Sequence, residues 1–174
     1  MFEEYLQDSY HFLSTAETLP IERDAKRYYR ASVFYASGAI EAFINYLADS
    51  LAKANNIPRY EICFLNDRIL QYSPDKGLIE RVVYHRLDDK VRVLMRRFAA
   101  DFDFQGSTWS TFMEFKTFRD SLVHPRQVDD ETGLTDYSRK VRAGLKSIIE
   151  LMNHISKGMF GKPLRKQLLD LIPE

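Results

Sequence analysis

An arginine, an aspartate and a histidine, Arg119, Asp120 and His124, fall within six residues of one another. Together they offer much of what is needed to break an RNA phosphodiester without a metal ion. That reaction asks for a base on the 2′-hydroxyl, an acid on the leaving 5′-oxygen, and positive charge at the phosphate. An imidazole that titrates near neutrality and a permanently charged guanidinium meet those needs. Pro125 disfavours helical geometry for the residue before it, which places His124 at the last turn of any helix it belongs to. The negative end of the helix dipole would there favour the imidazolium. The spacing alone is a weak signal, because 4 His and 15 Arg in 174 residues give roughly 0.3 such pairs in a shuffled chain. Ordinary ion pairs at Arg119 and Asp120, with His124 capping its helix, are the plainer alternative.

The element that must position these groups is visible in the apolar spacing. Trp109, Phe112, Phe115, Phe118 and Leu122 recur at three and four residues, one stripe of a helix that runs into His124. Arg119 lies beside that stripe. On a straight helix Arg119 and His124 stand about 140° and about 7.5 Å apart, so they share a face only if the helix end distorts. Asp101 to Ser107 reads as the preceding connection, with Ser107 or Thr108 as N-cap.

The rest of the chain reads as scaffold. Phe2, Tyr5, Leu6, Ser9, Phe12, Leu13 and Ala16 mark a first amphipathic helix, broken at Leu19-Pro20. From about Asp24 to Ala54 runs the longest helical pattern, with Val33, Ala36, Ser37, Ile40, Ile44, Leu47 and Leu51 as its seam. The small residues from Ala36 to Ala39 let another backbone come close. Asn55, Asn56 and Pro58 end it. Ile62, Phe64, Leu65, Ile69 and Leu70 suggest a short helix stopped by Ser73-Pro74. Between Leu78 and Phe98, Ile79, Val83, Leu87, Val91, Leu94 and Phe98 would share one helical arc, with Arg81, His85, Arg92 and Arg96 opposite. Residues 76 to 97 hold seven basic side chains against three acids, the best candidate for a strip that touches a phosphate backbone through Arg81, Arg92 and Arg96. A solvated helix face is the competing reading. Arg126 to Asp136 is a polar loop, and Thr135 or Asp136 would cap the next helix. That helix carries Tyr137, Val141, Leu145, Ile148, Ile149, Met152 and Ile155 to about Ser156, with Gly158 and Gly161 ending it. Pro163 suits the first turn of a short terminal helix with Leu164, Leu168 and Leu169.

Composition sets the frame. A chain of 174 residues, 45% hydrophobic and 29% charged with few Gly and Pro, reads as one all-α domain over 1–174, an up-and-down bundle of four to five main helices with short accessory helices. Lys and Arg balance Asp and Glu at 25 each, so any nucleic-acid binding must be local. A single cysteine, Cys63, and a start without a basic segment and apolar run suggest a cytoplasmic protein. Gly-rich phosphate loops, Cys/His metal spacings, HExxH and nucleophile elbows do not occur in the sequence, so neither metal nor cofactor is expected. His11, His85 and His154 are expected to be surface or packing residues.

The segment RDSLVHPR, Arg119 to Arg126, resembles the Arg-x4–6-His signature of the HEPN superfamily of all-helical domains, with a polar residue after the arginine. ASGAIEAFINYLADSL, Ala36 to Leu51, is similar to an early helix of such domains, a small-residue stretch leading into an acid-containing apolar segment. The resemblance implies a homodimer in which the motifs of two chains face a common cleft and cleave single-stranded RNA without metal, in toxin-antitoxin or phage-defence systems. His124 would then be the general base or acid, Arg119 the phosphate clamp and Asp120 the residue that orients them. Ser121 and Arg126 would support, and Glu41 would reach the same cleft, with a buried acid paired to an arginine as the equally good structural reading. An antitoxin or a nucleotidyltransferase-like protein would be the partner. Other HEPN-like domains imply instead a non-catalytic helical dimer that binds a partner protein or a nucleotide.

Overall fold

The computed structural model describes residues 1–54, 57–124 and 133–173; Arg126 and the expected helix breakers Asn55 and Asn56 lie outside them. Among the described residues the chain is mostly α-helical, with α1 (Phe2–Thr18), α2 (Glu22–Ala52), α3 (Arg59–Leu65), α4 (Leu87–Phe98), α5 (Ser107–Val123), α6 (Leu134–Phe160) and α7 (Lys166–Leu169). A two-stranded antiparallel sheet, β1 (Arg68–Ser73) and β2 (Gly77–Val82), interrupts the helices between α3 and α4. No helix among the described residues is long and apolar enough to cross a membrane.

The core forms where the apolar seams meet. In α2, Val33, Ala36, Ile40, Ile44, Leu47 and Leu51 are buried, and α1 packs along the small-residue stretch of the same helix. A Cβ added at Gly38 would come within 3.3 Å of the Tyr5 ring, a tight contact that favours glycine at that position. Two buried serines tie the helices: Ser9 Oγ donates to the Ser32 carbonyl at 2.9 Å, and Ser32 Oγ donates to the Ser9 carbonyl at 2.8 Å. Each hydroxyl takes up a helix carbonyl's spare lone pair, so neither is buried unbonded.

Helix α6 is the second spine, packed on α2 and α5. Val141, Leu145, Ile148, Ile149, Met152 and Ile155 are all fully buried in it. Gly144 lies directly under the Phe115 ring, where an added Cβ would fall 1.9 Å from an aromatic carbon. Gly158 is inside α6 rather than at its end, because the Phe98 carbonyl at the close of α4 occupies the space a Cβ would need. The helix stops at Gly161, whose φ of 66° is the left-handed conformation glycine adopts without strain.

Three helix starts differ from their expected positions. Gly106 precedes α5 as N-cap in place of Ser107 or Thr108, and Thr108 Oγ1 instead donates to Glu150 of α6 at 2.7 Å. Gly133 precedes α6, so Thr135 and Asp136 are inside its first turn. At the C-terminal end α7 begins at Lys166, beyond Pro163.

The larger correction concerns residues 66 to 86. The helix expected across Leu78 to Phe98 starts only at Leu87, and the short helix expected as far as Ser73 ends at Leu65. Between them β1 and β2 pair from Arg68 with Val82 to Ser73 with Gly77. The turn chemistry accounts for it: Pro74 presets the backbone of a tight turn, the Lys76 N–H returns to the Ser73 carbonyl at 3.3 Å, and Gly77 takes a φ of 71°. Asp67 staples the base of the hairpin. Its carbonyl accepts the Val83 N–H at 2.9 Å and its carboxylate accepts the His85 N–H at 2.8 Å. To do so it adopts a φ of 56°, a conformation that Asp tolerates better than most residues.

Candidate functional site

Helix α5 buries Trp109, Phe112, Phe115 and Phe118 and so turns Lys116, Arg119 and Asp120, spaced three and four apart, onto its other side. They face a cleft of about 560 Å³ whose remaining walls are α2, through Glu41 and Asn45, the base of the hairpin, through Asp67, Tyr84 and His85, and the start of α4, through Lys90. The hairpin therefore does more than fill a connection. It brings residues 67, 84 and 85 across to α5.

Charge in the cleft is dense and nearly balanced. Arg119 Nη1 is 3.0 Å from Asp120 Oδ1 and its Nη2 is 3.3 Å from Glu41 Oε1, while its Nε is buried without a hydrogen-bond partner. Lys116 Nζ stands 3.4 Å from Asp88 and 3.7 Å from Asp120. The nearer of these, the buried Asp88 Oδ1, is at ion-pair distance but accepts no hydrogen bond. Arg86 reaches the other oxygen of Asp88 at 3.3 Å. Lys90, itself buried, donates to Asp67 Oδ2 at 2.7 Å. Burial pushes the Asp67 carboxyl up, but the His85 N–H and the Lys90 ammonium more than offset it and hold the group below its ordinary value.

His85 lies against Phe64, ring centroids 4.1 Å apart, which fits the packing role expected of it. It also lines the cleft, with Nδ1 buried, unbonded and 3.8 Å from Asp67 Oδ1. His11 and His154 rest against Phe12 and Phe102.

The expected site residues do not all converge. Arg119, Asp120 and Glu41 share the cleft. His124 is exposed at the end of α5, its N–H bonded to the Asp120 carbonyl at 3.0 Å, beyond the lining of the cleft. Ser121 faces away from it, Oγ donating to the Phe118 carbonyl at 2.7 Å, into a separate groove between α5 and α6.

The expected basic strip is dispersed, because its residues are not on one helix. Arg81 is on β2 and donates to Gln71 at 2.8 Å. Arg92 lies over the rings of Phe104 and Trp109, 4.9 and 4.7 Å from their centroids, a cation–π contact that fixes the loop before α5. Arg96 is exposed in the last turn of α4. Burial first, then Glu80, push the thiol of buried Cys63 above its ordinary value, which disfavours the thiolate.

Asp67, Tyr84, His85, Lys90 and Lys116 are not read as cleft residues in the sequence, although His85 and Lys90 fall within the expected basic helix face. The signal that could have found the first three was local. Ser-Pro-Asp-Lys-Gly between Arg-Ile-Leu-Gln-Tyr and Leu-Ile-Glu-Arg-Val is a turn flanked by two short β-prone runs, the mark of a hairpin. Lys116 was legible as the residue one turn before Arg119 and Asp120. No family model, no curated protein and no solved structure matches this chain.

Proposed function

We propose that the protein is a metal-independent endoribonuclease of HEPN type that cleaves single-stranded RNA, in a toxin or phage-defence role in the cytoplasm. The observation that carries this reading is the placement of Arg119 and His124: a guanidinium in a cleft with one N–H buried and unspent, followed at the end of the same helix by a solvent-open imidazole. In this reading α1, α2, α5 and α6 form an up-and-down bundle, and two chains pair so that their α5 ends share one groove. His124 of one chain takes the 2′-hydroxyl proton as O2′ attacks phosphorus. The second chain's imidazole returns a proton to the leaving 5′-oxygen, giving a 2′,3′-cyclic phosphate, while Arg119 holds the negative charge on the phosphoryl oxygens. Asp120, 3.0 Å from Arg119, orients the guanidinium. An antitoxin or a nucleotidyltransferase-like partner fits the same reading.

A second reading is favoured by the ion pairs. Both terminal nitrogens of Arg119 already face carboxylates and His124 stands outside the cleft, as expected of a non-catalytic helical dimer that binds a partner protein or nucleotide.

The experiment is cleavage of single-stranded RNA in EDTA by the purified chain, beside Arg119→Ala and His124→Ala. The wild type should cut, and each variant should be slower by about 10²–10⁴. No cleavage by the wild type, or equal cleavage by all three preparations, removes the nuclease and leaves the binding module.

A further inference from the structure

β1 and β2 form a ribbon with two open edges, and the ladder says which backbone groups face out of it. The Val83 N–H donates to the Asp67 carbonyl, so these two residues are a hydrogen-bonded pair, and such pairs alternate along an antiparallel ribbon. Ile69, Gln71 and Ser73 therefore turn their backbone groups toward β2, and Arg68, Leu70 and Tyr72 turn theirs outward. Among the described residues no backbone partner takes up that outward row. We infer that the β1 edge is a self-association surface, on which β1 of a second copy pairs antiparallel about Leu70 and joins the two ribbons into one sheet.

Lysines, prolines, inward-pointing charges and covering loops normally keep a sheet edge from pairing with another chain. This edge has little of that protection. From Arg68 to Ser73 the strand reads RILQYS, rich in β-prone residues, with one charge and no proline. The occupant that fits it is the same strand. In a two-fold contact the outward residues meet as Leu70 with Leu70 and Arg68 with Tyr72, so no like charges are opposed and each guanidinium lies beside an aromatic ring. The β2 edge does not complement itself in this way. Its outward residues are Leu78, Glu80 and Val82, and the same symmetry sets Glu80 against Glu80. Arg59 and Arg68 already neutralise each Glu80, so that pairing gains nothing from charge.

The contact bears on the cleft. β1 starts one residue after Asp67, whose carboxylate holds Lys90 and the His85 N–H, so fixing β1 fixes a wall of the cleft. The same register sets Ser73 of the second copy opposite Asp67. An edge of six residues is short, and contacts below about 1,200 Å² belong to weak encounters, so the pairing is reversible and follows concentration. It does not depend on the nuclease reading. The α5 ends are a different surface, and loss of the β1 contact leaves any pairing through them untouched.

The test is sedimentation equilibrium, amide exchange and disulfide trapping on the full-length protein. Between about 10 µM and about 1 mM the wild type should go over to a species of twice the mass. Leu70→Pro removes an N–H that the ribbon itself does not use, at an edge position where proline is tolerated, and should raise the concentration needed at least about tenfold. Amide exchange covers the case in which that variant loses its ribbon. In the wild type the Leu70 and Tyr72 amides should exchange more slowly as concentration rises, while those of Ile69 and Gln71 respond less, being bonded already within one chain. Leu70→Cys should form a disulfide-linked dimer at least about tenfold faster than Leu78→Cys, because two-fold mates in a hydrogen-bonded pair stand about 5.5 Å apart at Cα, within disulfide reach. Random collision would favour position 78, the more exposed of the two, and the wild type with its buried Cys63 is the blank. The inference is overturned if Leu70→Pro leaves the mass unchanged at every concentration, if exchange at Leu70 and Tyr72 does not depend on concentration, or if Leu78→Cys cross-links as fast as Leu70→Cys. Pairing through β1 by a chain that never cuts RNA would keep this surface and remove the nuclease.

Discussion

The α2–α6 core and the hairpin between α3 and α4 obey different rules, and the cleft exists because they meet. In α2 and α6 an apolar residue every three or four positions means burial, residue by residue. In the hairpin it means nothing of the kind. Ile69, Tyr72, Leu78, Val82 and Val83 are exposed, with Tyr72 and Leu78 a cross-strand pair at 70% and 69% exposure. Two strands alone seldom bury enough to be stable, so this ribbon depends on its turn and on its attachment at Asp67. Apolar spacing thus reports structure only where there is a second surface to bury against.

The sharpest way to break that comparison is to remove a buried side chain from the helical half. Phe112 is fully buried between α5 and its neighbours, and Phe112→Ala should cost about 3–5 kcal/mol by urea denaturation. A value under about 1 kcal/mol would mean that α5 is not packed as described. Next in size is Gly158→Ala. Its new methyl would meet the Phe98 carbonyl, so the change should destabilise by about 1–3 kcal/mol although alanine is the better helix former. If it stabilised instead, the close approach of α4 to α6 would be wrong.

These same contrasts explain what the sequence disclosed. The buried seam of α2, the aromatic stripe of α5 and the apolar face of α6 were legible, because each faces the core along its whole length. Arg119, Asp120 and Glu41 were legible as neighbours, since α5 and α2 carry them to one place. The hairpin was not, because Ile79, Val83 and Leu87 are spaced by four and imitate a helical stripe while belonging to a strand, a connection and a helix start. The basic strip failed with it: Arg81 and Arg92 were grouped by a helix that does not span them. His124 shows a further limit. Spacing could put it at the end of α5 but not say that it stands outside the cleft.

The junction of the two regions can be probed through pH. Asp67 holds Lys90 and the His85 N–H, and its carboxyl stands below its ordinary 3.8. A carboxylate with a depressed folded pKa contributes stability above its unfolded value, and that contribution disappears as pH falls through the folded one. Asp67→Asn keeps the left-handed backbone accessible and an oxygen for the His85 N–H, and removes the charge facing buried Lys90. The variant should be less stable than wild type by roughly 1–3 kcal/mol at pH 7. The gap should close as acid is added below about pH 4, visible as two denaturation midpoints that converge. A gap that persists at pH 2 would assign the loss to backbone strain rather than to the ion pair.

The smallest effect is expected where the sequence looked most apolar. Replacing Leu78 by Ser removes a large hydrophobic side chain, yet in this structure that side chain touches water over most of its surface. The change should therefore leave stability within about 0.5 kcal/mol, against several for Phe112→Ala in the same urea titration. Should Leu78→Ser cost as much as a core substitution while the protein remains monomeric, the hairpin must fold back onto the helices, and the cleft built at its base would be shaped differently. Should the cost appear only at concentrations where the chain self-associates, the exposed face of the ribbon would be covered by a second copy, and the contrast between the two regions would hold within one chain but not in the assembly.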